Sequence, residues 1–176
     1  MLKKIELLAN VSIIIAALLL VTVLIKRNLP QSPQSAAAAS PPAFRIQPGT
    51  KIQLPDVDWG RNGQTLLLAL SEGCRFCSES AGFYQRLAGE KGMPDNPRLV
   101  AVLPQEVSRG QAYLNNLGVA VDDVKQSTLG AIGVSGTPTL ILVDSAGIVQ
   151  ESWVGKLPPE REAEVLRRLH SARAAR

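Results

Sequence analysis

The residues best suited to chemistry are two cysteines, Cys74 and Cys77, the only cysteines in the 176 residues. They follow an apolar run at residues 65–70 and precede a segment with helical spacing, which places them at the first turn of a predicted helix. Unpaired backbone N–H groups and the helix dipole stabilise a thiolate there, so the pKa of Cys74 should fall below the ~8.5 of a free cysteine. We therefore predict that Cys74 is the attacking thiol. Cys77 lies one turn further on, on the same helix face, where it can resolve a mixed disulfide.

A structural disulfide and half of a zinc site are the alternative interpretations of this cysteine pair. Zinc normally needs four ligands, and the single histidine, His170, lies far away in the sequence on the last predicted helix, so we predict no metal. A disulfide that closes so short a loop constrains little entropy of the unfolded chain, which disfavours a purely structural role. A redox-active Cys74–Cys77 disulfide is the favoured interpretation, and no other cofactor is predicted.

The first 27 residues predict a membrane anchor. Residues 5–25 are apolar apart from one acidic residue and are long enough to cross a ~30 Å hydrocarbon core. A cleaved signal peptide is the alternative, because Lys3 and Lys4 resemble its basic start. The apolar stretch exceeds the usual length of such a segment and ends abruptly at Lys26, which favours an uncleaved helix in the lipid bilayer. Residues 28–43, rich in proline, alanine and serine, predict a linker.

The net charge of +4 does not indicate a nucleic-acid partner. Most of it comes from basic residues before residue 28, so the remainder of the chain is close to neutral. A basic surface of the kind that binds nucleic acid is therefore not expected, and we predict no such partner.

Residues 44–176 predict one α/β domain. Apolar runs predict buried strands, and the alternation of apolar with polar residues predicts half-buried strands. Apolar residues three and four positions apart predict helices. The predicted strands cover residues 50–54, 65–70, 99–103, 119–126, 139–143 and 148–152, and the predicted helices cover residues 78–88, 108–117, 128–132 and 159–169. The last two strands form an antiparallel hairpin. This order predicts a three-layer sandwich with a mixed central sheet flanked by helices.

Two motifs in this frame resemble those of the thioredoxin superfamily. They are Cys74-Arg75-Phe76-Cys77 at a helix start and Gly136-Thr137-Pro138-Thr139 opening a later strand. The anchor, the linker and the extra segment between the motifs are most similar to the membrane-anchored TlpA/ResA-like, redoxin-type thiol-disulfide oxidoreductases. The resemblance covers about residues 51–169. It implies a thioredoxin-like fold, a cis peptide bond before Pro138 beside the dithiol, and a substrate chain that pairs with the backbone of Thr137.

Several positions depart from the pattern of that family. Gly73 stands where many relatives have tryptophan, and Arg75-Phe76 replaces a pair that often contains proline. The strand at residues 65–70 carries no buried acid, which leaves Glu72 as the nearby candidate for proton transfer. Arg75 places a positive charge beside Cys74, and a cation there favours the thiolate and raises the redox potential.

The resemblance and the cysteine chemistry together predict a membrane-tethered thiol-disulfide oxidoreductase that acts on client proteins. Such a protein needs a membrane electron carrier or another thiol partner to restore the redox state of its cysteine pair after each exchange. We expect it in a bacterial inner membrane, with its soluble domain on the periplasmic side. Two alternatives stay open: a binding module of the same fold for a peptide or for copper delivery, and a peroxiredoxin-like peroxidase. The cysteine spacing is one residue short of the copper-delivery motif, and Ser71 stands where the peroxidase has threonine.

Overall fold

The computed structural model describes residues 45–61, 63–89 and 97–174. The predicted membrane anchor at residues 5–25 and the predicted linker at residues 28–43 lie outside the described residues. Within the described ranges, no helix has both the length and the apolar character needed to cross a membrane.

Strands and helices alternate through the described domain. In chain order they are β1 (Gln64–Ala69), α1 (Arg75–Glu79), α2 (Ala81–Gly89), β2 (Arg98–Leu103), α3 (Val107–Asn116), β3 (Asp123–Gln126), a short 3₁₀ helix (Leu129–Ile132), β4 (Thr139–Asp144), β5 (Val149–Val154) and α4 (Pro159–Ala174). The strands form one five-stranded sheet in the order β3-β2-β1-β4-β5. Strands β1, β2 and β3 are parallel, whereas β4 is antiparallel to both β1 and β5.

This topology brings the two sequence motifs to the same edge of the sheet. The chain leaves β1 at Ala69 and reaches Cys74 through a short turn. Because β4 runs antiparallel to β1, its first residue, Thr139, pairs with Ala69. The segment that precedes β4, which contains Pro138, must therefore lie beside the turn that carries Cys74.

Strand β1 is buried on both faces of the sheet. Leu67 and Leu68 point to opposite faces of the sheet, and each is 0% exposed. Burying a leucine side chain contributes roughly 1.5–3 kcal/mol, and β1 buries them on both faces. The turn that carries Cys74 is thus fixed to a strand that is held by packing on each side.

One face of the sheet is covered by helices. Leucines from β1 pack there against α2, α3 and α4, which contribute Tyr84, Leu114 and Val165 to the core. Burial raises the pKa of Tyr84 well above its ordinary range, so its phenol is neutral. Helix α3 approaches the sheet at Gly110, where a Cβ would lie only 3.2 Å from Val124.

The opposite face has a different cover. Leu67 and other residues of that face pack against Ile52 and Leu54, and against Ile132 of the 3₁₀ helix. The prediction of a regular strand at residues 50–54 is wrong, because the segment forms a single bridge, between Lys51 and Ile148. Its alternation of buried and exposed side chains is nevertheless observed. On this face the sheet is therefore covered by an irregular segment and the 3₁₀ helix, whereas the other face is covered by α-helices.

Candidate active site

Cys74 lies at the end of a tight turn that begins after β1. Its backbone N–H donates to the carbonyl of Ser71 at 3.2 Å. Gly73 has a φ of +79°, a backbone conformation that side chains with a Cβ rarely adopt. Glycine at this position therefore suits the turn that leads from the strand into α1. Cys74 is the N-cap residue of that helix.

The two cysteines form a disulfide, with their Cα atoms 5.3 Å apart. The backbone N–H of Cys77 donates to the sulfur of Cys74 at 3.1 Å. A donor at this distance also stabilises a thiolate on Cys74 once the disulfide is reduced. The two sulfurs differ in access: Cys77 is 0% exposed, whereas Cys74 is half-buried. A partner can therefore approach Cys74 and not Cys77.

The second sequence motif lies directly beside this disulfide. The peptide bond between Thr137 and Pro138 is cis. The carbonyl oxygen of Thr137 is 3.6 Å from the sulfur of Cys74. The segment is held on both sides of the proline, because Thr139 donates its hydroxyl to Gly136 and the N–H of Gly155 donates to the carbonyl of Pro138, both at 2.7 Å. The structure thus brings together Cys74, Cys77, Thr137 and Pro138.

Glu72 connects the cysteine turn to α3. Its exposed carboxylate accepts a hydrogen bond from Nε of Arg109, and its backbone N–H donates to the side chain of Gln105 at 3.5 Å. The Glu72 carboxylate raises the pKa of Arg109 further above its ordinary range. The role of Glu72 in proton transfer stays a prediction, and the contact that the structure gives its carboxylate is an ion pair.

Arg75 is engaged by an acidic residue of its own helix. Its side chain is 84% exposed, and its Nε donates to Glu79 at 2.7 Å. The other oxygen of Glu79 accepts from the ammonium of Lys156 at 2.8 Å. These contacts, first with Lys156 and then with Arg75, lower the pKa of Glu79. The positive charge that the sequence places beside Cys74 is therefore paired.

An exposed aromatic side chain lies between the cysteines. Phe76 is 53% exposed, which is unusual for a large apolar residue in a domain with this much core. The other large apolar side chain with high exposure in the described ranges is Val107, at the start of α3. Phe76 gives the surface beside the reachable sulfur an apolar character.

Trp59, Trp153 and His170 lie in three different parts of the fold. Trp153 is buried in the core, and Trp59 packs on the irregular side of the sheet against Gly147. His170 is exposed near the end of α4. In the part of the chain that the structure describes, no group of three or more His, Cys, Asp or Glu side chains could hold a metal ion.

Sequence reasoning missed four of the contacts that surround the dithiol, made by Glu79, Lys156, Arg109 and Gln105. The four-residue spacing between Arg75 and Glu79 on a helix is a recognised signal for an ion pair and could have revealed one of them. The other three partners are 33 or more residues away in the sequence from the residue they bind. Only the folded topology brings them to the site.

Comparison with solved structures identifies the fold. The chain is 22% identical to a protein from Chlorobium tepidum described as a thiol:disulfide interchange protein DsbE, with a TM-score of 0.56 over 72% of this chain and 98% of that chain. It is 15% identical to a thiol-disulfide isomerase from Corynebacterium glutamicum, with a TM-score of 0.51 over 71% of this chain and 91% of that chain. It is 21% identical to dsbF from MTB, with a TM-score of 0.50 over 62% and 81% of the two chains.

The described domain therefore has the thioredoxin-like fold of these thiol-disulfide interchange proteins. The predicted fold, a mixed sheet flanked by helices, is confirmed, and so is the resemblance drawn from the two motifs, at the level of the fold. No protein-family model matches the sequence, and no curated protein matches it.

Proposed function

We propose that this protein is a membrane-tethered thiol-disulfide oxidoreductase that exchanges disulfides with client proteins through Cys74 and Cys77. The observation that carries the proposal is the asymmetry of the disulfide. Cys74 is half-buried at a helix N-terminus, receives an N–H at 3.1 Å and lies 3.6 Å from the Thr137 carbonyl, whereas Cys77 is fully buried. One sulfur is placed to meet a partner, and the other is placed to meet only the first.

The proposed reaction has two displacement steps. In the reduced protein the Cys74 thiolate attacks one sulfur of a client disulfide, forming a Cys74–client mixed disulfide, and the departing client sulfur takes up a proton. Cys77 then loses its proton and attacks the sulfur of Cys74. The Cys74–Cys77 disulfide forms, and the second client sulfur leaves as a thiol. The client gains two electrons from the two cysteine sulfurs and two protons, one released by Cys77 and one from solvent, which received it when Cys74 ionised. The reverse sequence oxidises a client dithiol.

Thr137 and Pro138 are proposed to hold the client next to Cys74. Because the Thr137 carbonyl lies against the Cys74 sulfur, a client segment in a mixed disulfide must pass along this part of the backbone. An extended segment can pair with backbone groups without regard to its sequence. Phe76 adds apolar surface for neighbouring client side chains.

We propose that residues 5–25 anchor the protein in a bacterial inner membrane with the thioredoxin-like domain on the periplasmic side. The support is the length and apolarity of that stretch. On the cytoplasmic side the general thiol pool would reduce the dithiol, which would leave the anchor without a role. A membrane electron carrier or another dithiol would then reset Cys74 and Cys77. Alkaline extraction of membranes tests the anchor: the full chain should stay in the pellet, and its release into the supernatant would contradict this part of the proposal.

The function is tested by insulin reduction with dithiothreitol as electron donor. The full chain in detergent should accelerate the precipitation of insulin chains over many turnovers per protein molecule. A rate equal to that of dithiothreitol alone would exclude the enzyme and favour a binding module. In a second measurement, equilibrium with glutathione buffers gives the redox potential of the pair and decides whether the protein works as reductant or oxidant.

A further inference from the structure

The carboxylate of Glu79 joins helix α1 to the segment after β5, next to the dithiol. One oxygen of Glu79 accepts from Arg75 at 2.7 Å and the other accepts from Lys156 at 2.8 Å. Arg75 and Glu79 are the first and last residues of α1, and Lys156 follows β5. The carboxylate is thus shared between a cation next to Cys74 and a cation from a distant part of the chain.

The position of Glu79 along α1 determines where the charge of Arg75 goes. Cys74 caps the N-terminus of this helix, and Glu79 lies at its C-terminus, about 7.5 Å further along the axis at ~1.5 Å per residue. The ion pair directs the guanidinium of Arg75 toward that far end and sets a negative charge against it. Arg75 therefore gives less support to a Cys74 thiolate than its place in the sequence suggests.

The second cation connects Glu79 to the segment beside the dithiol. Lys156 follows Gly155, whose N–H donates to the carbonyl of Pro138 at 2.7 Å. The contact between Glu79 and Lys156 therefore spans from the cysteine helix to the loop that holds the cis-proline. Competition from Lys156 does not release Arg75, because each cation binds a different oxygen.

We propose that Glu79 is a positioning residue that keeps the charge of Arg75 away from the Cys74 sulfur and so makes the disulfide less oxidising than its Cys-Arg-Phe-Cys sequence implies. The inference rests on the proposed thiol-disulfide exchange, because redox poise matters only if the pair transfers electrons. Charged residues of the cysteine turn and α1 belong to two separate groups of ion pairs. Arg75, Glu79 and Lys156 form one group, and Glu72 forms the other with Arg109, which also interacts with Glu106. Glu72 is paired with Arg109 at 2.5 Å and takes no part in the Glu79 contacts.

The experiment compares Glu79→Gln in two backgrounds, the parent chain and Arg75→Gln. Ionisation of Cys74 is followed in the reduced full chain by thiolate absorbance as a function of pH, and the equilibrium with glutathione is measured alongside. The pKa of Glu79 is lowered from its ordinary 4.5, so its carboxylate stays charged wherever a thiol titrates. In the parent background, Glu79→Gln should raise the ratio of thiolate to thiol at pH 7 by about two- to fourfold, the range expected for an exposed ion pair. The glutathione equilibrium should shift toward the reduced protein by a similar factor.

In the Arg75→Gln background the same substitution should have little effect, because no guanidinium remains to be released. If Glu79→Gln changed the thiolate ratio equally in both backgrounds, the Glu79 charge would act on the sulfur directly. If it left the ratio of the parent chain unchanged, Glu79 would have no effect on the sulfur. Either result overturns the inference. Glu164→Gln is the matched control, since it removes a partly exposed acid that is paired with Arg161 on α4. It should leave both measurements unchanged.

These measurements need no client, so they separate the inference from the proposed function. Coupling between Arg75 and Glu79 in a protein that fails to reduce insulin would refute the proposed function alone. Insulin reduction without that coupling would refute the inference alone.

Discussion

Replacing Cys74 with serine should reduce catalysed insulin reduction to the rate of dithiothreitol alone. A serine hydroxyl does not attack a disulfide under these conditions, and Cys77 cannot substitute because its side chain is 0% exposed. Loss of a nucleophile typically lowers a rate by several orders of magnitude. The part of the rate that exceeds that of dithiothreitol alone should therefore fall by roughly a thousandfold or more. The measurement is the initial rate of insulin precipitation with equal amounts of parent and variant.

The matched control is Ser78→Ala, which alters an exposed side chain of the same helix and leaves both sulfurs in place. This variant should retain the parent rate. If Cys74→Ser worked as fast as the parent, or if Ser78→Ala lost activity to the same extent, Cys74 would not be the nucleophile.

Replacing Cys77 with serine should trap the protein on its client. The Cys74 thiolate can still form a mixed disulfide, but the sulfur that resolves it is missing, so the complex persists until an external thiol cleaves it. We expect a covalent adduct with an oxidised client on non-reducing gels, where the parent shows almost none. Mass spectrometry should place the bond at Cys74, and turnover should fall at least about tenfold.

The double variant Cys74→Ser and Cys77→Ser is the control, and it should form no adduct. Adducts at Cys77 in a Cys74→Ser protein, as abundant as those at Cys74 in the Cys77→Ser protein, would contradict the roles given to the two sulfurs. Such a result would mean that the buried sulfur reaches clients directly.

Much of this fold could be predicted from the sequence because its central strands are short, continuous apolar runs. The apolar run at residues 65–70 predicted a strand buried on both faces, and a turn signal after residues 139–143 made that run part of a hairpin. The structure gives β1 and β4 close to these positions. The pairing of Ala69 with Thr139, which brings the two motifs together, follows from the antiparallel direction of β4 and not from any local pattern.

The cover of the second face could not be predicted with the same success. Alternation at residues 50–54 is typical of a half-buried strand, and Ile52 and Leu54 are indeed buried. Whether such a segment becomes a strand depends on a run of partners for its backbone. The structure provides a single bridge, from Lys51 to Ile148, made by the backbone hydrogen bonds of Thr50 and Ile52. The periodicity of a sequence indicates which side chains are buried. It does not indicate whether the backbone of that segment will pair with a neighbouring strand.

The electrostatic environment of Cys74 was the second property that could not be predicted from the local sequence. Arg75 next to Cys74 predicted an effect on the thiolate, but Glu79 and Lys156 determine where that charge lies. Lys156 is 77 residues away from Glu79, so its contribution depends entirely on tertiary structure. Electrostatic expectations drawn from neighbours in the sequence hold only after the ion pairs of the folded chain are known.

The most direct test of the account is the rate at which iodoacetamide alkylates each cysteine of the reduced full chain as a function of pH. We expect Cys74 to react first, with an apparent pKa below the ~8.5 of a free cysteine, because the N–H of Cys77 stabilises its thiolate. Cys77 should stay protected over the same time. Faster labelling of Cys77, or a Cys74 that ionises no more readily than a free cysteine, would contradict the claim that one acidic, reachable sulfur starts the exchange.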